Sequence, residues 1–333
     1  MKKENRKTVF IACILSAAVG IFWSLLSLAK DSRPLFWVFL TVNLLSLMLV
    51  VFCLVWDKRL RENGSEPLSV LPEDLSRGEG KTLMTDRERA REVLERFCAC
   101  SLGTEDEVLR LFSALPGAQA HFDGDKRNFV YVPGKREDRV LLIAHADTVW
   151  DLQYRGEDFT QRLQKKISEG KTVYSGVNPS CGIGADDRAG CAILWLLKDL
   201  GHSLLITDGE ERGQISANHI KNSYPALYDE LNAHAYAIQF DRRNATDYKV
   251  YDLAVSEEFL AFIEAETGYS DAGRTARTDI VAICRDICGV NLSIGYYAEH
   301  TPDECLVLEE WLATLTLAER LLQKPQKRYP LLP

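Results

Sequence analysis

The residues best suited to metal and proton chemistry in this chain lie at the ends of apolar runs, and that placement constrains the fold before composition is considered. LLIAHADTVWD carries His145 and Asp147, CGIGADDRAGC carries Asp186, and LLITDGEERG carries Glu210 and Glu211. AIQFDRRN carries Asp241 and GYYAEHTPDE carries His300. Each run reads as a strand, or as the opening of a loop beyond one. A parallel sheet brings the carboxyl ends of its strands to one edge, and functional groups with them.

The surrounding pattern agrees. Helical periodicity is expected at residues 87–98, 105–115, 188–200, 216–220, 225–231, 256–266, 279–287 and 308–322. Strands are expected at 128–132, 139–145, 204–207, 235–240 and 290–294. Such alternation predicts an α/β fold, a three-layer sandwich around a mostly parallel central sheet. Three regions follow: 1–56, a polar linker at 57–81, and a domain at 82–333 that holds all five segments.

Residues 8–29 and 35–56 carry no charged side chain, and each is about as long as the roughly 20 residues that cross a bilayer. Two transmembrane helices are therefore expected before the α/β domain, joined by the turn KDSRP, with the lipid bilayer as a partner. Lys2, Lys3, Arg6 and Lys7 precede the first stretch and Lys58, Arg59 and Arg61 follow the second, against Lys30, Arg33 and Asp31 between them. By the positive-inside rule the domain faces the cytoplasm. Ser27-Leu28-Ala29 leaves a cleaved signal peptide as the competing reading.

The net charge of −8 and the lack of a basic, aromatic-interleaved patch argue against nucleic acid. Nine cysteines without staple-like spacing suit reduced thiols. Cys284 and Cys288 have no second pair to complete a metal site, and buried cysteine is common.

Each segment has a chemical use. His145 and Asp147, two apart at a strand end, share a face, and an aspartate there can fix the tautomer of a metal-binding imidazole; a strand-end pair capping a turn is the plainer reading. Asp186 and Asp187 open a helix between glycines, and a helix N-cap accounts for one acid, not two. Glu210 and Glu211 repel at the mouth of a buried strand unless one binds metal and the other remains free to move a proton. Asp241 supplies a further carboxylate and His300 a second imidazole. His121, His202, His219 and His234 read as ordinary structural histidines. Together the five segments offer the donors of a two-metal hydrolase.

In that order the segments resemble the co-catalytic di-zinc exopeptidases, the broad clan of peptidase T, the zinc aminopeptidases and their glutamyl aminopeptidase-like relatives. AHADTV is similar to their HxDTV segment, GADDRAG to GADDxAG, and GEERG to their EE-x-G segment, while TARTDI resembles the turn that holds Thr278 and Asp279 here. The resemblance runs over about 85–322. It implies two divalent ions, zinc with cobalt or manganese as alternatives: His145 and Asp241 on one, Glu211 and His300 on the other, Asp186 bridging. It further implies a cis peptide after Asp186, Asp147 orienting His145, and Glu210 as general base for water attacking an amide carbonyl. No serine or cysteine nucleophile is needed.

Two departures matter. The interval 242–299 is already used by core elements, so a compact domain without a separate lid is expected. TARTD also lacks the double glycine usual in that clan. The function implied is a membrane-anchored aminopeptidase acting on short peptides. An amidohydrolase or deacylase of N-acyl amino acids is the alternative among enzymes, and an inactive membrane scaffold the alternative outside them.

Overall fold

Runs of Leu, Ile, Val and Ala short enough for strands alternate with helices, and a computed structural model shows how they assemble over residues 86–154 and 157–333. The chain opens with α1 (Asp86–Cys98) and α2 (Asp106–Ser113), then β1 (Gln119–His121), β2 (Phe129–Val132) and β3 (Leu141–His145). The hairpin β4 (Leu163–Ser168) and β5 (Lys171–Gly176) precedes α3 (Ala185–Leu197) and β6 (Ser203–Thr207). Next come α4 (Ile215–Ser223), α5 (Pro225–Leu231), β7 (Ala237–Arg242), β8 (Asp247–Lys249), α6 (Glu257–Thr267) and β9 (Ser270–Asp271). The last elements are α7 (Asp279–Ile283), β10 (Gly289–Ser293), β11 (Tyr296–Tyr297), β12 (Cys305–Val307) and α8 (Leu308–Leu322).

Eight strands form the central sheet in the order β1-β2-β6-β3-β7-β10-β8-β9. Its middle, β6-β3-β7-β10, is parallel, with antiparallel joins at β2–β6 and β10–β8. Every residue of β3, β6 and β10 is buried, as expected of strands covered on both faces. Leu141, Ile143 and Leu205 pack with Phe129 and Tyr131 against Ala217, Ile220, Leu231, Ile280 and Ile283 of α4, α5 and α7. The helix α3, flanked by α1 and α8, lies against β3 and β7 through side chains outside that cluster. The mixed α/β fold with a largely parallel sheet is therefore present, and 242–299 is filled by β8, α6, β9, α7, β10 and β11.

Two features differ from expectation. A second sheet, β11-β12-β5-β4, is separate from the first; β11 and β12 are two and three residues long, β4 is largely exposed, and β5 buries only Thr172 and Tyr174, so they carry little hydrophobic pattern. The helix expected to reach 287 stops at Ile283 because Asn232 Oδ1 accepts the N–H groups of Arg285 and Asp286 at 2.8 and 2.9 Å. A continued helix would have aimed those donors at Val281 and Ala282.

The membrane expectation is corrected. No helix among the described residues is long and apolar enough to cross a membrane, and the stretches at 8–29 and 35–56 on which the two-pass, bilayer-bound reading rested lie outside the described residues. The seven described cysteines form no disulfide with one another.

Two histidines outside the five segments lock the sheet to its neighbours. His202 Nδ1 accepts from Val140 N–H at 3.0 Å, and its Nε2 donates to Leu322 O at 2.9 Å. His234 Nδ1 donates to Leu231 O at 2.9 Å, and its Nε2 accepts from Ser203 Oγ at 2.7 Å. Burial, with Arg139 nearby, depresses the His234 pKa from 6.5 to about 4. The unfolded chain therefore binds a proton that the native state refuses between those values, and stability falls as pH falls through that window. The slope is about 1.4 kcal/mol per pH unit, which sums to about 3 kcal/mol by pH 4. Urea unfolding at pH 7 and pH 4.5 should show this loss in the native sequence and a flatter profile in His234→Gln; parallel profiles would assign the pH dependence elsewhere.

Candidate metal centre

The strand ends deliver the donors. His145 closes β3, where its neighbour Ala146 N–H donates to Thr207 O of β6 at 2.8 Å, and Asp147 begins the following loop. Asp186 and Asp187 lie at the start of α3, joined by a cis peptide bond and outside helical φ/ψ. Glu210 and Glu211 occupy a single 3-10 turn after β6, between Gly209 at φ 71° and Gly213 at φ 89°; these left-handed glycines let the chain reverse twice within five residues. Asp241 sits near the end of β7, and His300, at φ 62°, lies between β11 and β12. The small sheet thus brings the last donor over the edge of the large one.

Asp186 lies between the two imidazoles. Its Oδ1 is 3.1 Å from His145 Nε2, and its Oδ2 is 3.2 Å from His300 Nε2. His145 Nε2 is also 3.3 Å from Asp241 Oδ1, and His300 Nε2 is 2.9 Å from Glu211 Oε2. All five donor residues expected from the sequence therefore meet in one place. Donor atoms of His145, Asp186 and Glu211 lie within 4.8 Å of one another, as do those of His145, Asp187 and Asp241. Asp187 is otherwise engaged: its carboxylate accepts His145 N–H at 3.1 Å and Gly190 N–H at 3.0 Å, so it holds backbone. The His145 side chain is 1% exposed and that of His300 48%, so the centre opens to solvent on the His300 side.

Asp147 does two jobs. Its Oδ1 stands 3.3 Å from His145 Nδ1, and its two oxygens accept the N–H groups of Glu210 and Glu211 at 3.2 and 3.4 Å. Asp241 Oδ2 accepts from Gln239 Nε2 and Thr278 Oγ1, each at 2.8 Å. Asp279 is fully buried and accepts from Thr207 Oγ1.

Burial raises several of the carboxylates here, while against burial the two imidazoles hold Asp186, and His145 holds Asp147, below the usual carboxylate range. Asp241 is pushed up to about 6 by burial against the pull of His145, and Glu211 to about 7 by burial and Asp186. Burial with Asp241 lifts Glu210 well above the usual carboxylate range, and burial lifts Asp279 to about 7. Burial would depress His145, but Asp241, Asp147 and Asp186 hold it well above its usual value. His300, bonded to Asp186 and Glu211, rises to about 11. Glu211 Oε1 and Asp279 Oδ1 are buried without a hydrogen-bond partner. Two imidazoles with a surplus of buried carboxylate oxygens suit divalent cations, which would supply the missing positive charge. The residues present fit such ions.

The fold is shared with an aminopeptidase of known structure, aminopeptidase APDkam598 from the archaeon Desulfurococcus kamchatkensis, which aligns with a TM-score of 0.51 at 13% identity, over 72% of this chain and 96% of that one. The TET1 peptidase of Pyrococcus horikoshii aligns at 0.48 and 16% identity, over 70% and 99%. Aminopeptidase PepT from Bacillus cereus aligns at 0.47 and 15%, over 72% and 98%. By sequence alone the chain matches no protein-family model and no curated protein.

Glu304 was not singled out from the sequence. It is 1% exposed, and its carboxylate accepts Gly184 N–H at 2.8 Å and Asp186 N–H at 3.0 Å. It thereby holds the backbone of the central aspartate from behind. A Cβ on Gly182 would lie 2.2 Å from Glu304 Oε2, so the glycine makes room for it. The acid in HTPDE was visible as a letter, but its partners are more than a hundred residues away. Glu304→Ala leaves two buried N–H groups without acceptors and should cost about 2–4 kcal/mol, measurable by denaturant unfolding. A loss below about 0.5 kcal/mol, within the scatter of surface substitutions, would show that the loop is held by other contacts.

Proposed function

We propose that this chain is a metallo-aminopeptidase that releases the first residue of short peptides. Two divalent cations, zinc with cobalt or manganese as alternatives, would be held by His145, Asp186, Glu211, Asp241 and His300. The observation that carries this reading is the Asp186 carboxylate, which turns one oxygen to His145 and the other to His300. A carboxylate shared in this way suits a bridge between two ions, and the aminopeptidase fold supports the same reading.

Bound there, two such ions supply Lewis acidity toward a carbonyl and toward water. The chain's residues do the rest. Asp147 holds His145 by its Nδ1 side, leaving Nε2 directed at Asp186 and Asp241. The same carboxylate anchors the Glu210 backbone, which keeps the Glu210 side chain at the centre while Glu211 takes a ligand position. Glu210 takes the proton of the attacking water and returns it to the leaving amine. Its pKa, raised by burial and by Asp241, is the kind that a nearby cation brings back toward the working range of a general base. The surplus of buried carboxylates also favours a substrate that brings positive charge. A free α-ammonium does so and an N-acyl group does not, which supports the aminopeptidase reading over the deacylase one.

The full chain, supplied with zinc, cobalt or manganese, is expected to release amino acids from free-amine peptides and not from N-acyl amino acids. Chelator should stop the reaction. Glu210→Gln should lower kcat by about 100- to 10,000-fold while metal content by elemental analysis stays near the native level. Turnover of N-acyl substrates alone would favour the deacylase, and no turnover together with no bound metal would sink both enzymatic readings.

A further inference from the structure

Beside the Glu210–Glu211 turn one lysine gathers three carboxylates from three separate segments. Lys126 Nζ is 2.5 Å from Glu105 Oε2, 2.5 Å from Asp151 Oδ2 and 3.2 Å from Asp208 Oδ1. The lysine side chain is 14% exposed, and those of Glu105, Asp151 and Asp208 are 12%, 4% and 0% exposed. Asn128 Nδ2 completes the set, donating to Glu105 Oε1 at 3.2 Å and to Asp208 Oδ2 at 3.0 Å. Arg212 donates to the other oxygen of Asp151.

The loops involved are those that shape the candidate centre. Asp151 follows Asp147 by four residues, Asp208 precedes Glu210 by two, and Arg212 ends the turn that carries Glu210 and Glu211. Contact is also made through backbone: a Cβ on Gly209 would lie 2.8 Å from both Cβ and O of Lys126. The turn is also held by the Asp147 carboxylate. Burial, with Asp147 and Glu105 nearby, pushes Asp208 up to about 8 even beside the ammonium; without it, the carboxylates of Glu105 and Asp151 and the acid of Asp208 would lose their shared cation in a poorly solvated space, which would let the loops move apart. Since Asp208 and Glu210 lie on one short turn, a shift of the first moves the second.

We propose that Lys126 is a positioning residue for the general base: its charge draws Asp208 and Asp151 together and so sets the turn that presents Glu210. The kinetic part of this inference rests on the aminopeptidase reading; the structural part does not.

The full chain would be compared as wild type, K126M and the double variant K126M/D208N, which removes the buried acid along with its partner. In K126M, backbone amides over residues 209–215 should exchange with deuterium at least tenfold faster while those of α8 keep their rates. On a free-amine peptide kcat should fall at least 30-fold with KM within threefold, at unchanged metal content. The double variant should regain at least threefold in kcat over K126M and stay at least threefold below wild type. Unchanged exchange in 209–215, a rise in KM with kcat retained, or no regain in the double variant would overturn the assignment. If K126M does not fold, the double variant carries the test: kcat threefold or more below wild type with KM preserved supports it, and a smaller loss overturns it. If the wild type cleaves no peptide, the aminopeptidase reading fails, and the exchange measurement alone decides the role of Lys126.

Discussion

Asp186 offers one carboxylate oxygen to His145 at 3.1 Å and the other to His300 at 3.2 Å, and much of the domain serves to keep it between them. The aspartate is buried, and the side chains of Asp241 and Glu211 are only 7% and 8% exposed. Charges of one sign do not gather in a poorly solvated space without an answering charge or a rigid frame. The frame is visible: Glu304 holds the Asp186 backbone, Gln239 and Thr278 hold Asp241, and Asp147 holds the Glu210–Glu211 turn. The answering charge is what the proposed cations would supply.

The two sheets divide this work. The central one is rigid because its middle strands are buried on both faces, so the ends of β3, β6 and β7 stand at fixed separations. The smaller one carries His300 between β11 and β12 and leaves it half exposed. Three candidate donors, His145, Glu211 and Asp241, thus come from strand ends at the rigid edge, Asp186 from the start of α3, and His300 from an element laid over them. That arrangement leaves the centre open to solvent on the His300 side. Lys126 and its carboxylates join the segments that precede the Glu210–Glu211 turn to one another and, through Arg212, to the end of that turn.

Much of this was legible in the chain. The helix at 308–322 has the boundaries expected of its apolar stripe, and β3, β6, β7 and β10 fall within two residues of the apolar runs that announced them. The five candidate donor residues stand out in the chain because a histidine or an acid pair at the end of an apolar run or at a helix start is unusual, and the structure brings them together. Glu304 and Lys126 were not readable. A glutamate in a loop and a lysine in a turn look like ordinary solvated charges, and only their distant partners distinguish them. Asn232 likewise ends α7 from 51 residues away, a contact that no local pattern records.

By itself the sequence determined the class of fold, the strand ends at which chemistry gathers, and the residue types available there, because hydrophobic periodicity and polar placement are local properties. Tertiary structure alone decided which oxygen of Asp186 faces which imidazole, that Asp187 serves backbone, and that a second sheet brings His300 across. The physical reason is distance along the chain. Asp186 and His300 are 114 residues apart, and Lys126 and Asp208 are 82 apart. The register of the buried strands, together with the second sheet that carries His300, converts those separations into contacts of about 3 Å.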